Sequence, residues 1–194
     1  VAVVDTGGQL LYGLGDPGRV TFARSSAKPM QAISAIETGA VDAFGITDRE
    51  LALFCASHSG ESFHVETLHG IFEKAGLDFK LLQCGVHMPF SAEASAELVA
   101  KQRSPYEAHC NCSGKHAGML ITGQHTRVSL VDYYKLSNPI QQRILKNVAE
   151  ICEIDVSEIQ IAVDGCGVPV HAMSLHKFAH GMARLSQPTL FGEQ

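Results

Sequence analysis

The sequence predicts an α+β domain, and three observations support this. Short β-branched and apolar runs separated by glycine-containing turns begin the chain, which is typical of antiparallel strands. Apolar residues at helical spacing follow, between capping residues and glycines. With 194 residues and 45% hydrophobic content, the chain is long enough for a sizeable core. We therefore expect residues 1–194 to form a single domain.

The predicted strands are short and lie mostly at the two ends of the chain. Thr6-Gly7-Gly8 has turn chemistry, so the first two strands are expected to form a hairpin. The third strand is short, and the last one reads as buried. The predicted strands are Val1–Asp5, Gln9–Leu14, Val20–Ala23, Val128–Tyr133 and Ile159–Val163.

The predicted helices are bounded by recognisable caps. Ser25 or Ser26 is expected to cap the first helix, and Thr47 begins a capping box with Glu50. Asn138 precedes a proline at a first helical position. Glycines 39, 76 and 181 read as stops. The predicted helices are Met30–Thr38, Leu51–Ala56, Phe63–Ala75, Ala92–Lys101, His116–Ile121, Ile140–Ile151 and Val170–His180.

Charge and composition exclude several classes of protein. The net charge of -5 gives no electrostatic reason to bind nucleic acid or an anionic membrane surface. No apolar run approaches the roughly 20 residues that a membrane helix needs. The six cysteines would allow three disulfides, but a chain of this size does not need them. We therefore expect a reducing compartment, the cytoplasm.

The two ends of the sequence indicate a piece of a longer protein. The chain begins at Val1 without a methionine, inside a strand-like run. It ends at Gln194 without a clear stop signal. We therefore expect the domain to be truncated at both ends.

The segment His109–Gly118 reads as a functional site. Its ten residues include two thiols, two imidazoles, an amine and a hydroxyl, where a core segment would have Leu, Ile and Val. Ser113 is a candidate cap for the following helix. Cys112 and Lys115 would then lie about one turn apart on the same side.

Ser25 and Lys28 form a second candidate site. They are three residues apart at a predicted helix N-terminus, where the helix dipole favours a developing anion and a neutral amine. A neutral Lys28 would be able to take the proton of Ser25, as in base-activated nucleophiles. The alternative is a serine cap followed by a surface lysine, and spacing alone favours that alternative.

Two further stretches carry chemistry. Ser57–Glu61 places hydroxyls, an imidazole and a carboxylate at a helix–loop junction; the alternative is a polar C-terminal cap. Asp164 and Cys166 lie between glycines after a predicted strand, where sites are commonly built. Serine, lysine and carboxylate groups together suggest acyl transfer without a histidine base.

The cysteines suggest a metal. Cys112, Lys115 and Cys166 would supply two thiolates and one nitrogen to a soft metal such as zinc, although lysine is a rare ligand because it must lose its proton. Cys110 is expected to pack in the core. A redox pair of Cys110 and Cys112 is the least favoured alternative, because one intervening residue strains the disulfide.

Four motifs together resemble the Rhizobium etli type, or thermolabile, L-asparaginases. They occur in the family's order over most of the chain, and their combination is specific although each motif alone is weak. The motifs are Arg24-Ser25-Ser26-Ala27-Lys28-Pro29, Cys55-Ala56-Ser57-His58-Ser59-Gly60-Glu61, Asn111-Cys112-Ser113-Gly114-Lys115-His116-Ala117-Gly118 and Asp164-Gly165-Cys166-Gly167-Val168-Pro169.

The resemblance implies an activity, a fold and an assembly. The activity is hydrolysis of L-asparagine to L-aspartate and ammonia. The fold is similar to that of serine β-lactamases and glutaminases, with an antiparallel sheet packed against helices. The resemblance also implies a homodimer.

The resemblance also implies roles for individual residues. Ser25 corresponds to the nucleophile, Lys28 to its base and Ser57 to a second catalytic serine. The family's zinc-binding positions correspond to Cys112, Lys115 and Cys166, where the metal serves substrate binding. Pocket-lining positions correspond to Arg24, His116 and Asp164. Of these, Asp164 suits the substrate's ammonium group, and we assign Arg24 to its carboxylate from charge.

The sequence departs from the family in three places. The lysine that the family pairs with its second serine falls beyond residue 194. The family's opening segment, which precedes the first hairpin, is also not in this sequence. Asn138 stands where a histidine is expected.

Two alternatives remain open at this point. One is a related serine hydrolase of the glutaminase or penicillin-interactive type, which shares Ser-x-x-Lys but has later elements that this sequence does not show. The other is a non-enzymatic module that zinc stabilises.

Overall fold

The computed structural model describes residues 1–191, and it is α+β, as the sequence predicts. Its strands are Ala2–Val4 (β1), Leu10–Gly13 (β2), Val20–Phe22 (β3), Gln160–Val163 (β4) and Pro169–Ser174 (β5). Its helices are Lys28–Glu37 (α1), Ala40–Ala43 (α2), Asp48–Cys55 (α3), Ser62–Ala75 (α4), Ala92–Ala100 (α5), Ser113–Thr126 (α6), Pro139–Cys152 (α7) and Leu175–Leu185 (α8). Within residues 1–191, no helix is both long enough and apolar enough to cross a membrane.

The N-terminal hairpin forms as predicted. Strands β1 and β2 pair antiparallel, and the Asp5 carboxylate accepts hydrogen bonds from the backbone N–H groups of Gly7 at 3.0 Å and Gln9 at 2.8 Å. The hairpin packs against α8, and the His176 imidazole lies 2.9 Å from the carbonyl oxygen of Gly8 in the turn. The turn is therefore fixed by Asp5 within the hairpin and by His176 of α8.

The other three strands form a separate antiparallel sheet in the order β3-β5-β4. Both β3 and β4 run opposite to β5, so the C-terminal ends of β3 and β4 lie at the same end of the sheet. The turn that follows β3 and the loop 164–168 that follows β4 therefore meet there. Four of the predicted site residues, Arg24, Ser25, Asp164 and Cys166, lie in these two connections at this end of the sheet.

The prediction of a helix over Val170–His180 is wrong. Residues 169–174 form the central strand β5, and all but the last of them are buried. A strand covered on both faces shows no alternation of apolar and polar residues, so its sequence cannot be distinguished from a buried helix. The helix begins only at Leu175, where the Ser174 side chain caps it, and it continues through Gly181. Gly181 is a packing position, since a Cβ there would lie 2.6 Å from the Cys152 sulfur.

Two strand predictions also need correction. Strand β4 exists, but it lies at the edge of its sheet, and Val163 at its end is 76% exposed. Val128–Tyr133 forms turns and not a strand. Tyr133 within it is fully buried, because its ring and hydroxyl reach the interior next to α6. The β-branched residues of this segment therefore marked neither a strand nor a buried run, since Val131 is 68% exposed.

The predicted serine caps are also wrong. Helix α1 begins at Lys28, one residue before Pro29, and its N-cap is Ala27, with no side-chain cap. Ser25 and Ser26 lie in a 3-10 turn, Arg24–Ala27, which leads directly into the helix. Ser113 is likewise the first residue of α6 and not its cap. In both places the hydroxyl is left available for other contacts.

The caps predicted at Thr47 and Asn138 and the stop predicted at Gly76 are confirmed, whereas α6 extends to Thr126, beyond the predicted end at Ile121. Thr47 and Glu50 form the predicted capping box, and the Asn138 side chain accepts a hydrogen bond from the Ile140 N–H. Gly76 ends α4 in the left-handed conformation that glycine adopts freely. Local signals of this kind depend on neighbouring residues only, so they are readable in the sequence.

Helix α6 lies at the centre of the molecule. Its residues 113–123 are all buried, and it packs against α1, α3 and α4. Gly114 permits this packing, because a Cβ at that position would lie 2.2 Å from the Leu53 carbonyl oxygen at the end of α3. The N-terminus of α6 and the C-terminus of α3 are therefore in direct contact. This contact joins the second and third of the four motifs.

Candidate active site

The four motifs converge on one region. The turn after β3 and the loop 164–168 lie at the same end of the sheet. Helix α1 follows that turn and places Lys28 in the core. The close approach of α3 and α6 brings the segment 56–61 beside the start of α6. Residues separated by more than 100 positions in the sequence are thus in contact, as the Arg24–Asp164 ion pair shows.

Lys28 is the central group of the site. Its side chain is buried, and its Nζ atom lies 2.7 Å from the Ala56 carbonyl oxygen, 2.9 Å from the Ser57 Oγ atom and 3.4 Å from the Asn111 carbonyl oxygen. Burial lowers the pKa of the Lys28 amine from its ordinary value. The site therefore presents an amine that is easier to deprotonate than a surface lysine, next to a serine hydroxyl.

Ser25 lies at the surface, one turn before Lys28. Its carbonyl oxygen accepts a hydrogen bond from the Lys28 backbone N–H. Among the described residues, its hydroxyl has no hydrogen bond, and the Lys28 amine bonds to Ser57 instead. Both serines are exposed, whereas the lysine beneath them is buried. This is an arrangement in which a substrate from solvent reaches the hydroxyls and not the amine.

Cys112, Lys115 and Cys166 come together, although they lie on two distant segments. The Lys115 Nζ atom is 3.0 Å from the Cys166 sulfur, and all three side chains are buried. Hydrogen bonding from Cys112 lowers the pKa of Cys166, and the same bond together with burial raises the pKa of Cys112. The pair therefore favours a thiolate at Cys166.

The charged side chains at this end of the sheet form ion pairs with one another. The Arg24 guanidinium lies 3.1 Å from the Asp164 carboxylate, which is also 4.0 Å from the Lys115 amine. Arg24 has a φ of 48°, a left-handed conformation that is uncommon for residues other than glycine. Its side chain is 69% exposed, whereas that of Asp164 is 10% exposed. The arginine is the one of the two that solvent and ligands reach freely.

His116 is completely buried on α6. Its Nδ1 atom lies 2.6 Å from the Tyr133 hydroxyl, which also accepts a hydrogen bond from the Gln83 N–H. The Nε2 atom of His116 has no hydrogen-bond partner among the described residues. Burial lowers the pKa of the His116 imidazole.

Sequence reasoning assigned no role to several residues that the fold brings to the site. Tyr133 orients His116 but was placed in a predicted strand. Asn111 contributes its backbone carbonyl oxygen to Lys28, which no side-chain pattern reveals. His171 on β5 is buried with neither ring nitrogen bonded to a described residue, and burial lowers its pKa to about 4. Only the motif containing Asn111 was recognisable in the sequence.

The donor atoms present fit zinc. Cys112 and Cys166 supply sulfur and Lys115 supplies nitrogen, and zinc takes both types of ligand. The orphaned Nε2 atom of buried His116 adds a nitrogen without a protein partner. Within residues 1–191, no group of three or more His, Cys, Asp and Glu side chains is arranged to hold a metal. The predicted set includes only two such residues, because its third member is a lysine.

A buried amine beside a serine hydroxyl, with charged groups at the mouth of the site, is typical of hydrolases that use an activated nucleophile. The chain matches the L-asparaginase II family over residues 1–192, and it belongs to that family. This is the Rhizobium etli type family, so the resemblance predicted from the four motifs is confirmed. No curated protein matches the chain. Family membership supports an asparaginase function in general terms.

Proposed function

We propose that the chain is the amidohydrolase domain that converts L-asparagine to L-aspartate and ammonia through an acyl-enzyme. The observation that carries the proposal is the buried Lys28 amine, 2.9 Å from the Ser57 hydroxyl and one turn from Ser25. Membership of the L-asparaginase II family supports asparagine as the substrate.

The contacts of Lys28 favour its action as a base. A neutral amine has two N–H bonds and one lone pair. The carbonyl oxygens of Ala56 and Asn111 are placed to accept the two N–H bonds, which leaves the lone pair for a serine hydroxyl. Burial favours the neutral form, because it lowers the pKa of the amine. Lys28 is therefore well suited to accept a proton.

The proposed reaction has two steps. The Ser25 oxygen attacks the side-chain amide carbon, and Lys28 takes the serine proton. Ser57 gives its own proton to the amide nitrogen and takes from Lys28 the proton that came from Ser25, so that the C–N bond breaks and ammonia leaves. Water then adds to the acyl-enzyme along the same proton path, and aspartate is released. Backbone N–H groups near Ser25 stabilise the oxyanion.

Charged groups of the site would recognise the amino-acid part of the substrate. We assign the α-carboxylate to Arg24 and the α-ammonium to Asp164, which are opposite in charge and 3.1 Å apart. Substrate would replace their mutual ion pair by one pair with each group. His116, a pocket residue on the family pattern, would support the site from beneath, since it is buried.

Zinc belongs to the proposal as a resident metal. Cys112, Lys115 and Cys166 would hold it, with the thiolate favoured at Cys166. When bound, the metal supplies positive charge that serves substrate binding. A homodimer is proposed on the family resemblance alone, and a cytoplasmic location is proposed on the cysteine usage of the sequence.

Ammonia release from L-asparagine tests the proposal, with L-glutamine in parallel. The variant Ser25→Ala is expected to lose turnover by at least about 10³-fold, because it removes the attacking oxygen. The matched control is Ser26→Ala, an exposed serine in the same turn, which should keep wild-type turnover.

The same assay separates the outcomes. Faster turnover of glutamine than of asparagine would replace the proposed substrate. Wild-type turnover in Ser25→Ala would refute the assigned nucleophile. In that case Ser57→Ala identifies the alternative, since Ser57 is the serine bonded to Lys28.

A further inference from the structure

His58 is a buried histidine with a complete set of hydrogen bonds. It follows Ser57 in the chain and is 3% exposed. Its Nδ1 atom accepts a hydrogen bond from the Gly60 N–H at 3.2 Å, and its Nε2 atom lies 2.7 Å from the Ser113 Oγ atom. Both ring nitrogens are thus engaged by the protein.

The partners of the ring determine its tautomer. A backbone N–H only donates, so Nδ1 carries no proton and Nε2 carries one. The Nε2–H group therefore donates to the Ser113 hydroxyl, which donates in turn to the Ala108 carbonyl oxygen at 3.2 Å. Each donor in this series of hydrogen bonds has one acceptor, so all the bonds donate in the same direction, from Gly60 through His58 and Ser113 to Ala108.

The environment keeps the ring neutral. Burial lowers the pKa of His58 to about 4, and the stacked His64 ring, 5.1 Å away, contributes in the same direction. A neutral ring with one fixed proton is suited to hold geometry. It is not suited to carry protons, because protonation of Nδ1 would break its bond to Gly60.

The ring joins the two segments that surround the Lys28 amine. On one side are Ser57 and the Ala56 carbonyl, which both contact Lys28. On the other side is α6, through Ser113. The His58 backbone N–H also donates at 3.2 Å to the Asn111 carbonyl oxygen, the third contact of Lys28. All three contacts of the amine therefore lie on segments that His58 connects.

We propose that His58 is a positioning residue for the amide hydrolysis, and that its Nε2–H bond to Ser113 fixes the Ser57 hydroxyl against the Lys28 amine. This inference rests on the proposed function, because it assumes that the Ser57–Lys28 contact serves catalysis. It assigns a role to a histidine whose two ring nitrogens both bond to protein groups.

Two conservative variants separate the two bonds of the ring. His58→Gln keeps an amide N–H near the position of Nε2, and His58→Asn keeps a carbonyl oxygen near the position of Nδ1. We expect His58→Asn to lower kcat about 10²-fold, the cost of displacing a catalytic group by about 1 Å, with KM little changed. His58→Gln should recover most of kcat. His69→Gln, an exposed histidine of α4, is the control that should match wild type.

The partner variant Ser113→Ala tests the bond from its other end. If the bond carries the effect, Ser113→Ala lowers kcat as His58→Asn does, and the double variant is no slower than either single variant. Multiplicative effects in the double variant would overturn the proposal. So would equal kcat in His58→Asn and wild type.

Two readouts do not depend on asparagine turnover. NMR of ¹⁵N-labelled histidine should show His58 as the neutral Nε2-protonated tautomer, and an Nδ1-protonated ring would overturn the proposal. A fluorophosphonate probe reports serine reactivity, and its labelling rate should fall in His58→Asn and recover in His58→Gln. If wild type labels but releases no ammonia, the proposed function fails and the labelling rates decide the positioning role. A wild type that the probe does not label would overturn both.

Discussion

Lys28 shows how one buried residue joins distant parts of the sequence. Its amine contacts segments 28 and 83 positions away, at Ala56 and Asn111, as well as the Ser57 hydroxyl. The amine is buried, so its charge would be costly without these acceptors. A functional explanation of the residue must therefore include the backbone carbonyls that surround it.

Replacement of Lys28 by methionine tests its role at the residue scale. Lys28→Met keeps the apolar stem and removes the amine, so turnover should fall by about 10²- to 10⁴-fold, the range for loss of a general base. Ammonia release measures this. Urea unfolding should show that the variant still folds, because methionine fills the buried space. Lys101→Met, an exposed lysine of an i,i+4 pair, is the control with unchanged turnover. Wild-type turnover in Lys28→Met would contradict the assignment.

At the residue scale, the sequence predicts which residues belong to the site but not which of them touch. The nine predicted site residues were readable from motifs and resemblance. The spacing of Ser25 and Lys28 indicates a shared helix face, yet the Lys28 amine bonds to Ser57. That contact depends on the packing of α3 against α6, which local spacing does not contain. Tyr133 and the Asn111 carbonyl oxygen were missed for the same reason.

At the element scale, the approach of α3 to α6 is the contact on which the site depends. Gly114→Ala would place a Cβ 2.2 Å from the Leu53 carbonyl oxygen, a backbone atom that cannot turn away. We expect a loss of about 1–3 kcal/mol in the free energy of unfolding, as for other overpacked cores, or more if the helices separate. Urea denaturation measures it, and turnover should fall as well because Ser57 moves from Lys28.

The matched control is a glycine in an uncrowded helix. Gly70 lies inside α4, and a Cβ there would meet only the end of the Glu50 side chain at 3.4 Å. Gly70→Ala should therefore stabilise the protein by about 0.5–1 kcal/mol through helix propensity. The prediction fails if both alanine variants change stability in the same direction.

Element boundaries were predictable where the signal is local. The Thr47 capping box and the cap at Asn138 are set by a few neighbouring residues, and both form. Strand β5 was not predictable, because burial on both faces removes its periodicity. The sequence of Val128–Tyr133 is β-branched, but the segment has no strand partner in the described residues.

At the scale of the whole molecule, the antiparallel β3-β5-β4 sheet explains why the motifs are so far apart in sequence. Strand β5 is last in the sequence but central in the sheet. Because β3 and β4 both run opposite to it, the turn after β3 and the loop after β4 lie at the same end of the sheet. Arg24 and Asp164 then lie 3.1 Å apart, although 140 positions separate them. Sequence reasoning predicted the fold class, but not this pairing order, because pairing depends on long-range packing.

The buried histidines make the stability of the whole molecule depend on pH. The pKa of His58 is about 4 in the folded protein, below the ordinary value of 6.5, because burial disfavours the charged form. Between these values the unfolded chain binds a proton at His58 that the folded protein does not. The contribution of His58 to the free energy of unfolding is therefore fully present above pH 6.5, and it is lost progressively as the pH falls toward 4.

The expected loss is measurable by urea unfolding at pH 7 and pH 5. His58 alone accounts for about 2 kcal/mol of it over this interval, from the linkage between pKa and stability. In His58→Gln, which has no titrating ring, the difference between the two pH values should shrink by that amount. An unchanged difference in His58→Gln would mean that folding does not lower the pKa of His58, so that the ring is protonated in the folded protein at pH 5. At pH 5 the Nδ1 atom would then be protonated and unable to accept the hydrogen bond from the Gly60 N–H group.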